Sequence, residues 1–106
     1  MAEFHVVAKV GEIAPGEAKH VEIGDKEIGV YNLDGEYYAI GDVCTHAYAQ
    51  LTDGDIYPED GTVACPLHGA EFDIRTGKNL NFPAPTPVPT YVARVNGENI
   101  EVCLGS

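Results

Sequence analysis

Apolar and polar positions alternate in short runs along most of the chain, and no stretch sustains a helical period. Phe4 to Val10 is a β-prone run broken at Ala14-Pro15-Gly16, and Ala18 to Ile23 alternates before Gly24-Asp25 turns the chain. Glu27 to Leu33 and Glu36 to Ile40 are predicted strands joined across Asp34-Gly35, which suits a two-residue type I′ turn because both central residues need positive φ. Leu51 to Tyr57 and Thr62 to Ala64 can pair across Pro58-Glu59-Asp60-Gly61, and Phe72-Asp73-Ile74 ends in the turn Arg75-Thr76-Gly77-Lys78. Thr90 to Val95, Asn96-Gly97 and Glu98 to Leu104 form the clearest hairpin. Tyr91, Ala93 and Val95 share one face of it, as do Ile100, Val102 and Leu104, so the hairpin can bury a side against the opening strands. The pattern predicts an all-β chain, an antiparallel sandwich or barrel. A small subdomain over about 42–78 is expected to be inserted into a base formed by 1–41 and 79–106.

Composition narrows this further. At 106 residues the chain is long enough for one modest core and too short for a second domain with its own. Six basic against 17 acidic residues give a net charge of −11, which disfavours nucleic acid and anionic membranes and favours a protein partner with a basic docking face. Four of the seven prolines fall in 82–89, which rules out a central strand there. Three cysteines do not make a disulfide framework, and Cys103, on the face opposite Ile100 and Val102, is expected to be a structural or incidental thiol. His5 and His20 lie in strands with no nearby cysteine or second histidine, so each is expected to be exposed or satisfied by a neighbour. Met1-Ala2-Glu3-Phe4-His5 has neither a basic leader nor an apolar core of a signal segment, and no run approaches membrane-spanning length, which predicts a soluble cytoplasmic protein.

The candidate chemistry sits in two loops. Cys44-Thr45-His46 follows Tyr38-Ala39-Ile40-Gly41-Asp42, and Cys65-Pro66-Leu67-His68 follows Thr62-Val63-Ala64, so each loop offers one thiolate and one imidazole. Zinc sites of the Cys2His2 kind pair cysteines first and histidines later, and alternating types fit that pattern poorly. One cysteine and one histidine per loop suit a binuclear centre, one metal taking both sulfurs and its neighbour both nitrogens.

The signature C-x-H, an eighteen-residue gap, and C-x-x-H followed by Gly69 resembles that of Rieske iron–sulfur proteins, in which His₂ replaces Cys₂ on one iron of a [2Fe–2S] centre. The stretch from Cys44 to Gly54, the run Cys65-Pro66-Leu67-His68-Gly69-Ala70-Glu71-Phe72-Asp73 and Thr76-Gly77 resemble the small ferredoxins of bacterial aromatic-ring dioxygenases, over nearly the whole chain. The chain departs from that pattern in a slightly longer gap and in Tyr48, where a glycine is common. The resemblance implies one Rieske-type [2Fe–2S] cluster in the inserted subdomain, with Cys44 and Cys65 on the inner iron and His46 and His68 on the outer. It also implies a proline-containing loop packed over the cluster, and Tyr48, Leu67, Pro83 and Pro85 are candidates for an apolar ring around its tip. Gly69 is expected to let backbone amides approach the sulfides.

Such a chain is expected to carry one electron from a flavin-dependent NAD(P)H reductase to a terminal aromatic-ring oxygenase, as a monomer. It leaves no length for the mononuclear iron domain that activates oxygen. No Ser/His/Asp set, phosphate-binding glycine loop or paired carboxylates point to an enzyme in its own right. Respiratory Rieske proteins carry an extra disulfide where this chain has Ala49 and Leu67, and hydroxyl donors where it has Ala70 and Phe72. Fewer donors leave the reduced cluster less stabilised, which predicts a low potential. The alternatives are a Rieske-type small subunit of a nitrite reductase, favoured less by the full ligand set, and a structural zinc domain.

Overall fold

The computed structural model describes residues 3–43, 49–67, 69–80 and 87–104. Nine strands follow in chain order: β1 Phe4–Lys9, β2 Ala18–Ile23, β3 Lys26–Leu33, β4 Glu36–Gly41, β5 Asp55–Tyr57, β6 Thr62–Ala64, β7 Glu71–Asp73, β8 Thr90–Asn96 and β9 Asn99–Cys103. Six of them form an antiparallel sheet in the order β1-β9-β8-β4-β3-β2, and β5-β6-β7 form a second, smaller one. The chain is therefore all-β, as its alternating pattern predicts. Among the described residues no helix is long and apolar enough to cross a membrane.

The turns follow from local chemistry, with one shift. Leu33 pairs with Glu36, and Asp34 and Gly35 both have positive φ (55° and 92°), the geometry a type I′ turn demands. In the last hairpin Asn96 pairs with Asn99, so the central residues are Gly97 and Glu98 and not the expected Asn96-Gly97. Only Gly97 has positive φ there, which puts the glycine first in the turn and lengthens β8 by one residue.

One other expectation is corrected. The run Leu51 to Tyr57 does not form one strand: Leu51–Asp53 is a single 3₁₀ turn, and pairing begins only at Asp55, opposite Ala64. Leu51 is fully buried, so the turn drives that side chain into the core before the strand starts. Cys103 does face away from Ile100 and Val102, yet it is buried too, because β9 lies between β1 and β8 and its outer face is covered. Arg94 lies over the ring of Phe4 at 3.6 Å from its centroid and donates to Glu101 at 2.8 Å, closing that face.

Two apolar clusters result. Ile28, Val30 and Ala39 meet Ile100 and Val102 of the last hairpin, as its facing pattern requires. Val95 is the exception on that face, half exposed at the hairpin end. The other cluster joins Tyr31, Leu33 and Ile40 of the large sheet to Leu51, Val63, Cys65, Ala70, Phe72, Ile74 and Val88. Side chains as large as Phe72 and Ile74, fully buried, each contribute about 1.5–3 kcal/mol relative to exposure, so this shared core fastens the two sheets together. Val88, buried at the end of the proline-rich stretch, is tied by its N–H to the carbonyl of Gly77, and Pro89 accepts from the N–H of Gly41. The stretch thus ends bridged between β4 and the turn after β7. Its residues 81–86, with Pro83 and Pro85, lie outside the described residues.

Candidate metal centre

The first ligand-bearing loop leaves β4 at Asp42 and returns at Gln50. Val43 and Gln50 form an antiparallel bridge, and Leu51 N–H donates to the Asp42 carbonyl at 2.9 Å, so the stems of the loop are closed by backbone pairing. The Asp42 side chain closes it again. Its carboxylate is fully buried and accepts from Thr52 N–H at 2.8 Å and Thr52 Oγ1–H at 2.6 Å, with His20 Nδ1 at 2.5 Å from Oδ2. A buried carboxylate persists only where such donors replace water.

The second loop leaves the buried strand β6. Cys65 is 2% exposed, is in no disulfide, donates its N–H to Ala70 at 2.7 Å and accepts from Gly69 N–H at 3.0 Å. Those two bonds draw Gly69 and Ala70 back onto Cys65, and Gly69 has φ 72°, which is why glycine is needed there. Among the described residues, its chain neighbours aside, nothing lies within 4 Å of where its Cβ would be, so it is this dihedral, more than crowding by those residues, that demands glycine. Pro66 and Leu67 are exposed, Leu67 by 57%.

The two loops meet. Gly54, just after the 3₁₀ turn, lies so close to β6 that an added Cβ would stand 1.8 Å from the Ala64 carbonyl oxygen. Val43, Ala49 and Gln50 of the first loop and Pro66 and Leu67 of the second line one cavity of about 470 Å³, with Glu27 and Asp53 on its edge. Of the four ligand candidates, Cys65 is placed at this junction, while Cys44, His46 and His68 lie outside the described residues, as does Tyr48. The donor chemistry fits an iron–sulfur group: a buried thiol, outside any disulfide, beside the closed stems of a loop whose sequence supplies a second thiol and an imidazole. Ala70 and Phe72, fully buried behind Cys65, bring no hydroxyl to it.

His20 is satisfied by a neighbour, as expected, but the neighbour is the buried Asp42, a connection no spacing along the chain reveals. Partial burial works against the charged imidazole; the hydrogen bond and charge of Asp42, with Glu27 and Glu22 beyond it, outweigh that and raise His20 above its ordinary pKa. Burial, and secondarily the Asp42 charge, hold the Tyr31 hydroxyl well above the usual phenol range. A raised histidine pKa stabilises the fold fully below the unfolded value of about 6.5, and the contribution is lost as pH rises through the folded value. The melting temperature followed by circular dichroism is therefore expected to fall as pH rises above about 6.5 in the wild type and to fall less in His20→Gln. Equal falls would remove His20 from the account.

Comparison with known proteins bears on what such a junction holds. The family model described as "Rieske [2Fe-2S] domain" matches residues 3–92. The chain is 41% identical over 98 residues to the ferredoxin component of biphenyl 2,3-dioxygenase from Rhodococcus jostii (strain RHA1), covering 92% of this chain and 90% of that one. Its fold matches the ferredoxin of carbazole 1,9a-dioxygenase from Nocardioides aromaticivorans IC177 with a TM-score of 0.90 at 33% identity, covering 93% of this chain and 95% of that one. It also matches a chain in a complex of reduced oxygenase and oxidized ferredoxin in carbazole 1,9a-dioxygenase, with a TM-score of 0.88 at 27% identity, covering 94% and 92%.

Proposed function

The chain belongs to the Rieske [2Fe-2S] domain family, and from that premise we propose that it is the ferredoxin component of an aromatic-ring dioxygenase system, with Cys44, His46, Cys65 and His68 as the ligands of one cluster. The observation that carries this reading is the 41% identity with a dioxygenase ferredoxin over 92% of the chain. The same observation favours it over the small subunit of a nitrite reductase. When bound, the cluster supplies reversible one-electron chemistry. The chain's own residues hold it, keep water from its inner side and present its outer side. Cys44 and Cys65 bind as thiolates, and the burial of Cys65 excludes solvent from the sulfur side. His46 and His68 bind through ring nitrogens and complete the set on the outer side.

Exposed Leu67 and Pro66 give an apolar contact surface beside the ligands, and the net charge of −11 steers the carrier toward basic docking faces. The partners are a terminal oxygenase, as in the carbazole dioxygenase complex, and a flavin-dependent NAD(P)H reductase. The carrier acts as a cytoplasmic monomer without nucleic acid or membrane. It divides into a base of 1–41 and 79–106 and a cluster-binding subdomain of about 42–78.

The test is iron and sulfide analysis with an EPR spectrum of the dithionite-reduced protein. The low average g of mixed Cys/His ligation is expected; a spectrum of four-cysteine type would break the ligand assignment, and a colourless zinc protein would leave a structural domain. Because Ala70 and Phe72 offer no hydroxyl to the cluster region, the midpoint potential is expected near the low end of the Rieske range, about −150 mV. A redox titration with a midpoint well above zero would refute that.

A further inference from the structure

His20 stands where three carboxylates converge. Its ring lies on β2 opposite Gly29 of β3, with Nδ1 on Asp42 and Nε2 facing Glu22 Oε2 at 3.7 Å on its own strand and Glu27 Oε1 at 3.9 Å on β3. Nε2 is buried and makes no hydrogen bond among the described residues. The adjoining 3₁₀ turn presents the uncharged Thr52 to Asp42, and the buried Tyr31 hydroxyl, also without a hydrogen-bond partner, feels the same carboxylate. An imidazole whose two nitrogens both face carboxylate oxygens is favoured with both protons in place.

Asp42 connects this imidazole to the candidate centre. It precedes Cys44 by two residues and holds Leu51 and Thr52, so the pair spans both ends of the first ligand-bearing loop. Gly29 leaves the room for this: a Cβ there would stand 2.9 Å from Thr52 and 3.1 Å from Asp42.

We propose that His20 is a positioning residue for the centre, fixing the mouth of the first ligand loop through Asp42, and that it binds a proton when the protein gains its electron and releases it when the electron leaves. This rests on the ferredoxin reading above. The balance is simple. One electron from the reductase would add one negative charge at the centre; one solvent proton taken up on Nε2 by the fraction of His20 still neutral offsets it. Delivery of the electron to the oxygenase returns the proton to solvent. No bond to a ligand residue changes. By reciprocity, if reduction raises the proton affinity of His20 by a factor, protonation of His20 raises the electron affinity by the same factor, expected to be about fivefold or more.

The experiment follows the His20 imidazole by NMR with isotope-labelled histidine, in the oxidised and dithionite-reduced protein, alongside the midpoint potential against pH. The His20 resonance is assigned by its absence in His20→Gln, whose amide can still donate to Asp42. Expected is a titration of His20 shifted to higher pH on reduction, and a potential that falls with pH over that interval in the wild type but stays flat there in His20→Gln. An unshifted His20 titration, or the same slope in the variant, overturns the proposal and assigns the slope to the ligand histidines. Should the variant fail to fold, the His5 resonance is assigned and removed by His5→Gln to leave the wild-type His20 signal readable, and its shift decides. A wild-type protein without the mixed-ligand EPR signal overturns the ferredoxin reading itself, and this one with it.

Discussion

Cys65→Ser is expected to give a colourless protein that retains its β circular dichroism, with iron, sulfide and the reduced EPR signal lost together. A serine hydroxyl stays protonated at neutral pH and is not the thiolate ligand the site calls for. Cys103→Ser is the control, because Cys103 is buried to a similar degree, 5% against 2%. Both substitutions place a hydroxyl in an apolar setting and are expected to cost about 1–3 kcal/mol of stability. Only the first should remove the cluster. Full iron content and an unchanged EPR signal in Cys65→Ser would show that this thiol is not a ligand. Loss of the cluster in Cys103→Ser would show that general destabilisation is enough to release it.

Gly54→Ala is expected to be the most damaging of the single-methyl additions discussed. Its backbone is extended, with φ −89°, a conformation alanine adopts without strain, so propensity alone would pass the change. Space does not. The new methyl would stand 1.8 Å from the Ala64 carbonyl oxygen, which is backbone and cannot swing aside. Either the first loop must move away from β6 or the strand must bend, at a cost of about 3 kcal/mol, the upper part of the usual overpacking range. That lowers the melting temperature by roughly 12–24 °C.

The displacement also separates the two ligand loops, so reduced cluster content is expected in the protein that does fold. Gly69→Ala provides the contrast: nothing crowds its Cβ, and the cost is the left-handed backbone alone, about 1–2 kcal/mol. Thermal melts of the two variants separate crowding from dihedral strain. Equal losses would mean that the approach of Gly54 to β6 relaxes without difficulty.

The same two glycines show how far local sequence reaches. Gly69 follows a C-x-x-H run, where a glycine was expected for close approach of backbone amides, and its left-handed dihedral came only from the fold; Gly54 stands in Leu51-Thr52-Asp53-Gly54 and reads along the chain as part of a strand. What excludes a side chain from it is Ala64, ten residues away across a hairpin. The 3₁₀ turn at Leu51–Asp53 was hidden for a related reason. Its Leu51 is buried in a core that Val63 and Phe72 of the small sheet share, and a lone apolar position cannot announce which core it will join.

Taken alone, the sequence determined the all-β class and the places where most strands turn, and it offered four residues whose types suit a mixed Cys/His centre. Those properties are set by nearest neighbours: alternation follows the pleat, turn residues follow their dihedrals, and ligand chemistry belongs to the side chain itself. Tertiary structure alone decided that Cys103 is covered, that Gly54 has no room, and that His20 answers to Asp42. Each of these depends on groups brought together from distant parts of the chain. Burial, close approach and the pairing of charges are properties of that assembled space, and no window along the sequence contains them.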